Sequence, residues 1–101
     1  MHRRQKGATT MPKMIIAIVD TLANEVTGPL WTWQNAAPAI RQFGDLVTDQ
    51  KTQIAQHPED YDLVQVGILE DDLTITPRKE VIITGRAIKA AQDEFNGRTK
   101  P

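Results

Sequence analysis

Met14-Ile15-Ile16-Ala17-Ile18-Val19, stopped by Asp20, is the stretch on which the fold turns. A short run that is apolar on both faces and rich in β-branched residues reads as a central, buried strand. It is far too short to cross a bilayer. The basic start at residues 1–6 leads to no signal-peptide core with a small-residue cleavage site, so neither membrane insertion nor secretion is expected.

Upstream, residues 1–10 (MHRRQKGATT) are polar and lack helical or strand periodicity, so residues 1–13 are expected to form a disordered basic arm. Met11 and Met14 stand just before the apolar run and offer alternative translation starts to Met1. Downstream, Asn24, Gly28 and Pro29 break regular structure, and residues 21–34 read as a long connection with Trp31 and Trp33 near its end. Asn35 can cap a helix with its side-chain oxygen and Pro38 is tolerable in the first turn. Ala36, Ile40, Phe43 and Val47 then recur at helical spacing, which predicts a helix over 36–49. Pro58 biases His57 away from helical angles, so a single helical turn is expected to end before it.

Residues 61–69 read as a second strand, with Gly67 at a bulge or a close backbone approach. Glu70-Asp71-Asp72 supplies a polar reversal, and Leu73-Thr74-Ile75-Thr76 alternates as a half-buried strand does, which predicts a hairpin. Val81-Ile82-Ile83 can extend the sheet. Ile88, Ala91 and Phe95 share one face of a last helix expected to end near Gly97. The architecture is therefore α+β: an antiparallel or mixed sheet of three to four strands covered by one or two helices. It forms one domain over 14–97, with a tail over 98–101.

A chain of 101 residues suits a single core, and 40% hydrophobic with 25% charged residues is the composition of a globular protein. Without cysteine there is neither a disulfide framework nor a thiolate metal site, which fits cytoplasmic residence. The net charge of −1 conceals a division: residues 1–13 carry +4, residues 14–77 carry −8 and residues 78–101 carry +3. An acidic middle repels a nucleic-acid backbone, so phosphate contact is expected only from the two ends. Basic tails are also common on solvated termini.

Catalytic groups are sparse. His2 and His57 do not form a metal-binding pair, and Gly28, Gly44, Gly67 and Gly85 are too dispersed for a phosphate loop. The acidic pairs Glu59-Asp60 and Glu70-Asp71-Asp72 lack calcium-loop spacing and read as solvated turns. No enzyme activity, metal or cofactor is expected.

Three groups repay weighing. His57-Pro58-Glu59-Asp60-Tyr61 reads as a rigid opening to a strand, or as a partner-recognition turn. Trp31 and Trp33 fall on one side of an extended segment, where they can stack on unpaired bases or cover the core. Arg78, Lys79, Arg86 and Lys89 form a basic C-terminal element, with Arg86 and Lys89 on one helix face; they suit phosphate contacts or a solvated surface equally.

Taken in order, Ile15 through Asp20, Ala39-Ile40-Arg41-Gln42-Phe43, Ile54, His57-Pro58-Glu59-Asp60-Tyr61, Leu63, Val66-Gly67 and the acidic turn at Glu70 resemble the small nonstructural protein of the microviruses, in the gokushovirus-type branch. The resemblance spans roughly residues 14–76. It implies a phage-encoded, non-enzymatic factor acting in the host bacterial cytoplasm. Such a factor would bind single-stranded viral DNA at the switch from replication to genome packaging. Arg41, within the helix motif, joins Arg78, Lys79, Arg86, Lys89, Trp31 and Trp33 as the candidate DNA-binding set. The chain departs from the family pattern at Leu73, which stands where a glycine usually follows the acidic turn. The alternative is an adaptor for the replication initiator or the procapsid, which the acidic middle favours. A homodimer fits both, because a small sheet with an open edge can pair with its copy.

Overall fold

The computed structural model describes residues 11–99, with side chains over residues 11–94. Residues 1–10 of the expected arm, and the side chains of Phe95, Arg98 and Lys100, lie outside the described residues. Lys13, assigned to that arm, opens the first strand.

The apolar run lies in β1 (Lys13–Asp20), with β2 (Glu25–Trp33) on one side and β3 (Tyr61–Leu69) on the other, both antiparallel to it. Adding β4 (Ile75–Thr84) gives a wholly antiparallel sheet of order β2-β1-β3-β4. Because β2 and β3 both oppose β1, they run parallel to each other. The crossover between them carries α1 (Ala37–Thr48), α2 (Gln53–Gln56) and a 3-10 turn at Pro58–Asp60, and α3 (Gly85–Thr99) follows β4. The class is α+β.

Residues 21–34 are not the long connection their breakers suggest. Asp20 Oδ1 accepts the N–H groups of Leu22 and Ala23, at 3.0 and 3.1 Å, and Asn24 takes a φ of 58°, so the chain reverses into β2. Gly28, at φ 82°, and Pro29 sit in a register shift opposite Ala17. β2 is an edge strand, where the missing N–H of a proline is tolerated on the outer side. The breakers mark an irregularity within a strand, not its absence.

The second hairpin also differs in detail. Residues 75–84 are one strand running through Pro77, which pairs with Gly67 beside a register shift, and α3 continues past Gly97. Leu73 and Ile75 are 79% and 63% exposed, so the expected half-buried strand is an open edge. Leu73 holds a φ of 72°, the conformation glycine adopts without cost. Leu73→Gly should therefore stabilise the protein by about 0.5–1 kcal/mol, after the added freedom of the unfolded chain is subtracted. A melting temperature at or below the parent's would contradict this.

In the same turn Asp72 Oδ1 accepts the Thr74 hydroxyl at 2.6 Å and the Thr74 N–H at 3.1 Å. Those bonds, the hydroxyl's first, hold the carboxyl below its ordinary value of 3.8. A depressed carboxyl contributes stability above its unfolded pKa and loses it as the pH falls through the lowered folded value. Thr74→Val should shift the Asp72 titration toward 3.8 in an NMR experiment; an unmoved midpoint would show that the hydroxyl does not set it.

The helices cover one face. Ile16, Ile18, Tyr61 and Leu63 from the sheet meet Ala39, Phe43 and Val47 of α1 and Ile88 of α3. Asn35 Oδ1 accepts the Ala37 N–H at 2.9 Å, so the residue expected to cap α1 does bind its first turn. Ala39, Phe43 and Val47 then fall four apart and point the same way. α3 approaches α1 at Gly44, whose carbonyl accepts the Gln92 side-chain amide at 3.2 Å.

Candidate functional site

The most constrained surface feature is the turn before β3. Pro58 fixes one dihedral at the start of the 3-10 turn, and the Asp60 N–H donates to the His57 carbonyl at 3.0 Å. The Asp60 carbonyl accepts both the backbone N–H and the hydroxyl of Thr21, at 2.8 and 3.0 Å, which ties the turn to the β1–β2 reversal. From the other side Gly85, buried at the start of α3, presses its backbone against the carbonyls of Pro58 and Tyr61, leaving no room for a Cβ. Thr84 Oγ1 accepts the Ala87 N–H at 3.0 Å and caps α3 at this junction.

That junction gathers residues the sequence keeps far apart. Pro58 and Glu59 join Arg86, Lys89, Ala90 and Asp93 around a shallow depression of about 410 Å³. Lys89 Nζ lies 2.7 Å from Asp93 Oδ1, one turn along α3, while Arg86 is exposed and makes no ion pair among the described residues. The expected interaction turn and half of the expected cationic element thus form one surface of mixed charge. Tyr61 is the exception in that turn, because its ring is only 8% exposed and belongs to the core.

His57, Glu59 and Asp60 bring potential ligand atoms within 4.8 Å of one another. His57 and Glu59 are exposed and Asp60 is half-buried. Solvated groups on a single turn do this without an ion, and no further ligand converges on them among the described residues.

The remaining candidates are dispersed. Trp31 and Trp33 sit side by side on β2 with ring centroids 5.5 Å apart and planes tilted by 33°. Both are half-buried, packed against the helix-covered core, so the reading in which they cover the core describes much of their surface. Arg78, on the opposite edge strand, pairs with Glu80 at 2.8 Å. Lys79 lies on the sheet face away from the helices, and Arg41 is exposed on α1. These cations do not form one patch. Residues 11–94 carry seven Lys/Arg against thirteen Asp/Glu, a net −6, while the rest of the chain carries five cations and no carboxylate side chain.

One surface escaped the sequence reading. On the face opposite the helices, Val19, Val26, Val64, Val66 and Val81 line a groove of about 400 Å³ edged by Lys79, Glu25 and Asp62. Its signal lay in β1 and β3, which are apolar on both sides although helices cover only one.

The model of a family described as Phage ORF5 protein matches residues 13–89. No curated protein and no solved structure matches the chain.

Proposed function

Since the chain belongs to the Phage ORF5 protein family, we propose that this phage protein is a non-enzymatic nonstructural factor of the microvirus type, acting in the host bacterial cytoplasm as an adaptor. Its docking surface is the turn at His57, Pro58, Glu59 and Asp60 together with Arg86 and Lys89. Its partner is a phage protein of the replication or packaging stage, the initiator or the procapsid.

The observation that carries this reading is the bracing of the turn from two sides, by Thr21 and by the Gly85 backbone. A surface already ordered in the free protein loses little entropy on binding. Cations and carboxylates of both signs around one depression suit another protein surface better than a run of phosphates. Co-purification from infected cells tests it: the partner should be recovered with the parent chain and lost with Glu59→Lys and with Arg86→Glu. Equal recovery with both variants, or recovery of nucleic acid alone, would refute the adaptor.

A second reading, single-stranded DNA binding at the replication-to-packaging switch, is favoured by the tilted indole pair on the β2 edge. Stacking contributes about 1–3 kcal/mol per base. It takes second place because the body carries −6, and the five cations of residues 1–10 and 95–101 would have to supply most phosphate contacts. Fluorescence anisotropy with single-stranded oligonucleotides at low and high salt separates the two. Salt-sensitive binding weakened by Trp31→Ala supports the DNA reading, and no binding at low salt removes it.

A further inference from the structure

From the valine-lined face of the sheet we infer that the protein associates with a second copy of itself, the two sheets packing through the sides away from the helices. The inference is independent of the adaptor reading, since the groove at this face and the depression beside the turn share no residue.

Three observations carry it. First, the central strands are apolar on both sides. On the side opposite the helices they present Val19, Val64 and Val66, flanked by Val26 of β2 and Val81 of β4. Strands with that pattern are normally covered twice, and here no helix residue lines the groove. Second, the apolar strip reaches solvent: Val64 at its floor is 3% exposed, but Val26 and Val81 are 46% and 49% exposed. Isolated apolar residues on a surface need no partner, whereas a contiguous strip in a groove marks an association site.

Third, the rim is complementary to itself. Lys79 stands on the β4 side, and Glu25 on the β2 side with Asp62 between, and none of the three makes an ion pair among the described residues. Along the strands Glu25 is level with Asp20 and Tyr61, whereas Lys79 lies between the levels of Gln65 and Gly67, so the two stand at diagonally opposite corners of the face. A two-fold axis in the plane of contact, perpendicular to the line from Lys79 to Glu25, crosses the two sheets at a steep angle and sets each Lys79 over the Glu25 of its mate, twice by symmetry. A nucleic acid has no use for a valine floor, and a rim of both signs, ordered this way across the sheet, matches its own copy. Pairing through the open edge of β4 would leave this face uncovered and is a separate outcome.

Sedimentation equilibrium of the full chain over a wide concentration range tests the inference. The parent should reach twice the 11.3 kDa chain mass. Val81→Asp and Lys79→Glu should each weaken association about tenfold or more, and Glu25→Lys combined with Lys79→Glu should restore it. Circular dichroism checks that each variant is folded, and the exposed Lys79 keeps the test decisive should Val81→Asp fail to fold. A parent that stays at the single-chain mass would overturn the inference. So would a dimer indifferent to both single variants, which would place the contact elsewhere, the β4 edge included. Loss of the dimer leaves partner recovery through the Glu59 and Arg86 surface as a separate result.

Discussion

Gly85→Ala is expected to destabilise the protein by about 3 kcal/mol, lowering the melting temperature by about 15 °C or more. The added methyl would stand 2.7 Å from the Tyr61 carbonyl oxygen and closer still to that of Pro58. Both obstacles are backbone, so no side chain can swing aside, and either α3 or the turn must move. The Tyr61 ring below is part of the core, which raises the cost of moving the turn. This differs from Gly44, where the nearest atom is the end of the Gln92 side chain and adjustment is easier. Thermal denaturation followed by circular dichroism measures the effect. A midpoint within a few degrees of the parent's would mean that the junction yields to an added methyl and would remove the main support for a pre-ordered docking surface.

The second large effect is expected at Phe43. It is fully buried between sheet and helices, among Ile16, Ile18, Leu63, Val47 and Ile88, and is the largest side chain in that state. Phe43→Ala should cost about 3–5 kcal/mol, the transfer loss plus that of a cavity its neighbours only partly fill. That is a large share of the 5–15 kcal/mol typical of a whole domain. Urea denaturation should show the midpoint falling with little change in slope. A loss below about 1 kcal/mol would show that Phe43 does not join the two layers. Unlike Gly85→Ala, this change should leave the turn's geometry intact in whatever fraction remains folded, so partner recovery per folded molecule should be kept.

Together the two variants separate what holds the layers together from what shapes the proposed docking surface. Phe43 lies in the layer interface, whereas Gly85 joins three segments distant in sequence: the β1–β2 reversal through Asp60, the turn itself and the start of α3.

Much of the fold was legible because its signals are local. The run at residues 14–19 identified the central strand, the spacing of Ile40, Phe43 and Val47 identified α1, and Pro58 marked where the helical segment must stop. β2 was missed because Gly28 and Pro29 are breakers in a central strand but acceptable at an edge bulge, and edge position is a property of the sheet. β4 was divided at Pro77 for the same reason. Leu73 was noted where a glycine is usual, and its positive φ gives the physical meaning of that departure. For the candidate site, the turn at His57–Tyr61 could be read as rigid from its proline. Its meeting with Arg86 and Lys89 could not, because nothing in the spacing of the two segments requires contact.

By itself the sequence determined the α+β class, the central strand and the main helix, since each depends on residues close together in the chain. Only the tertiary structure decided which cations stand near carboxylates, that Tyr61 turns inward, and that one side of the sheet is left as an open valine groove. Burial and charge pairing depend on which segments meet across the fold, and residues such as Thr21, Asp60 and Gly85 become one junction only when sheet and helices close on each other.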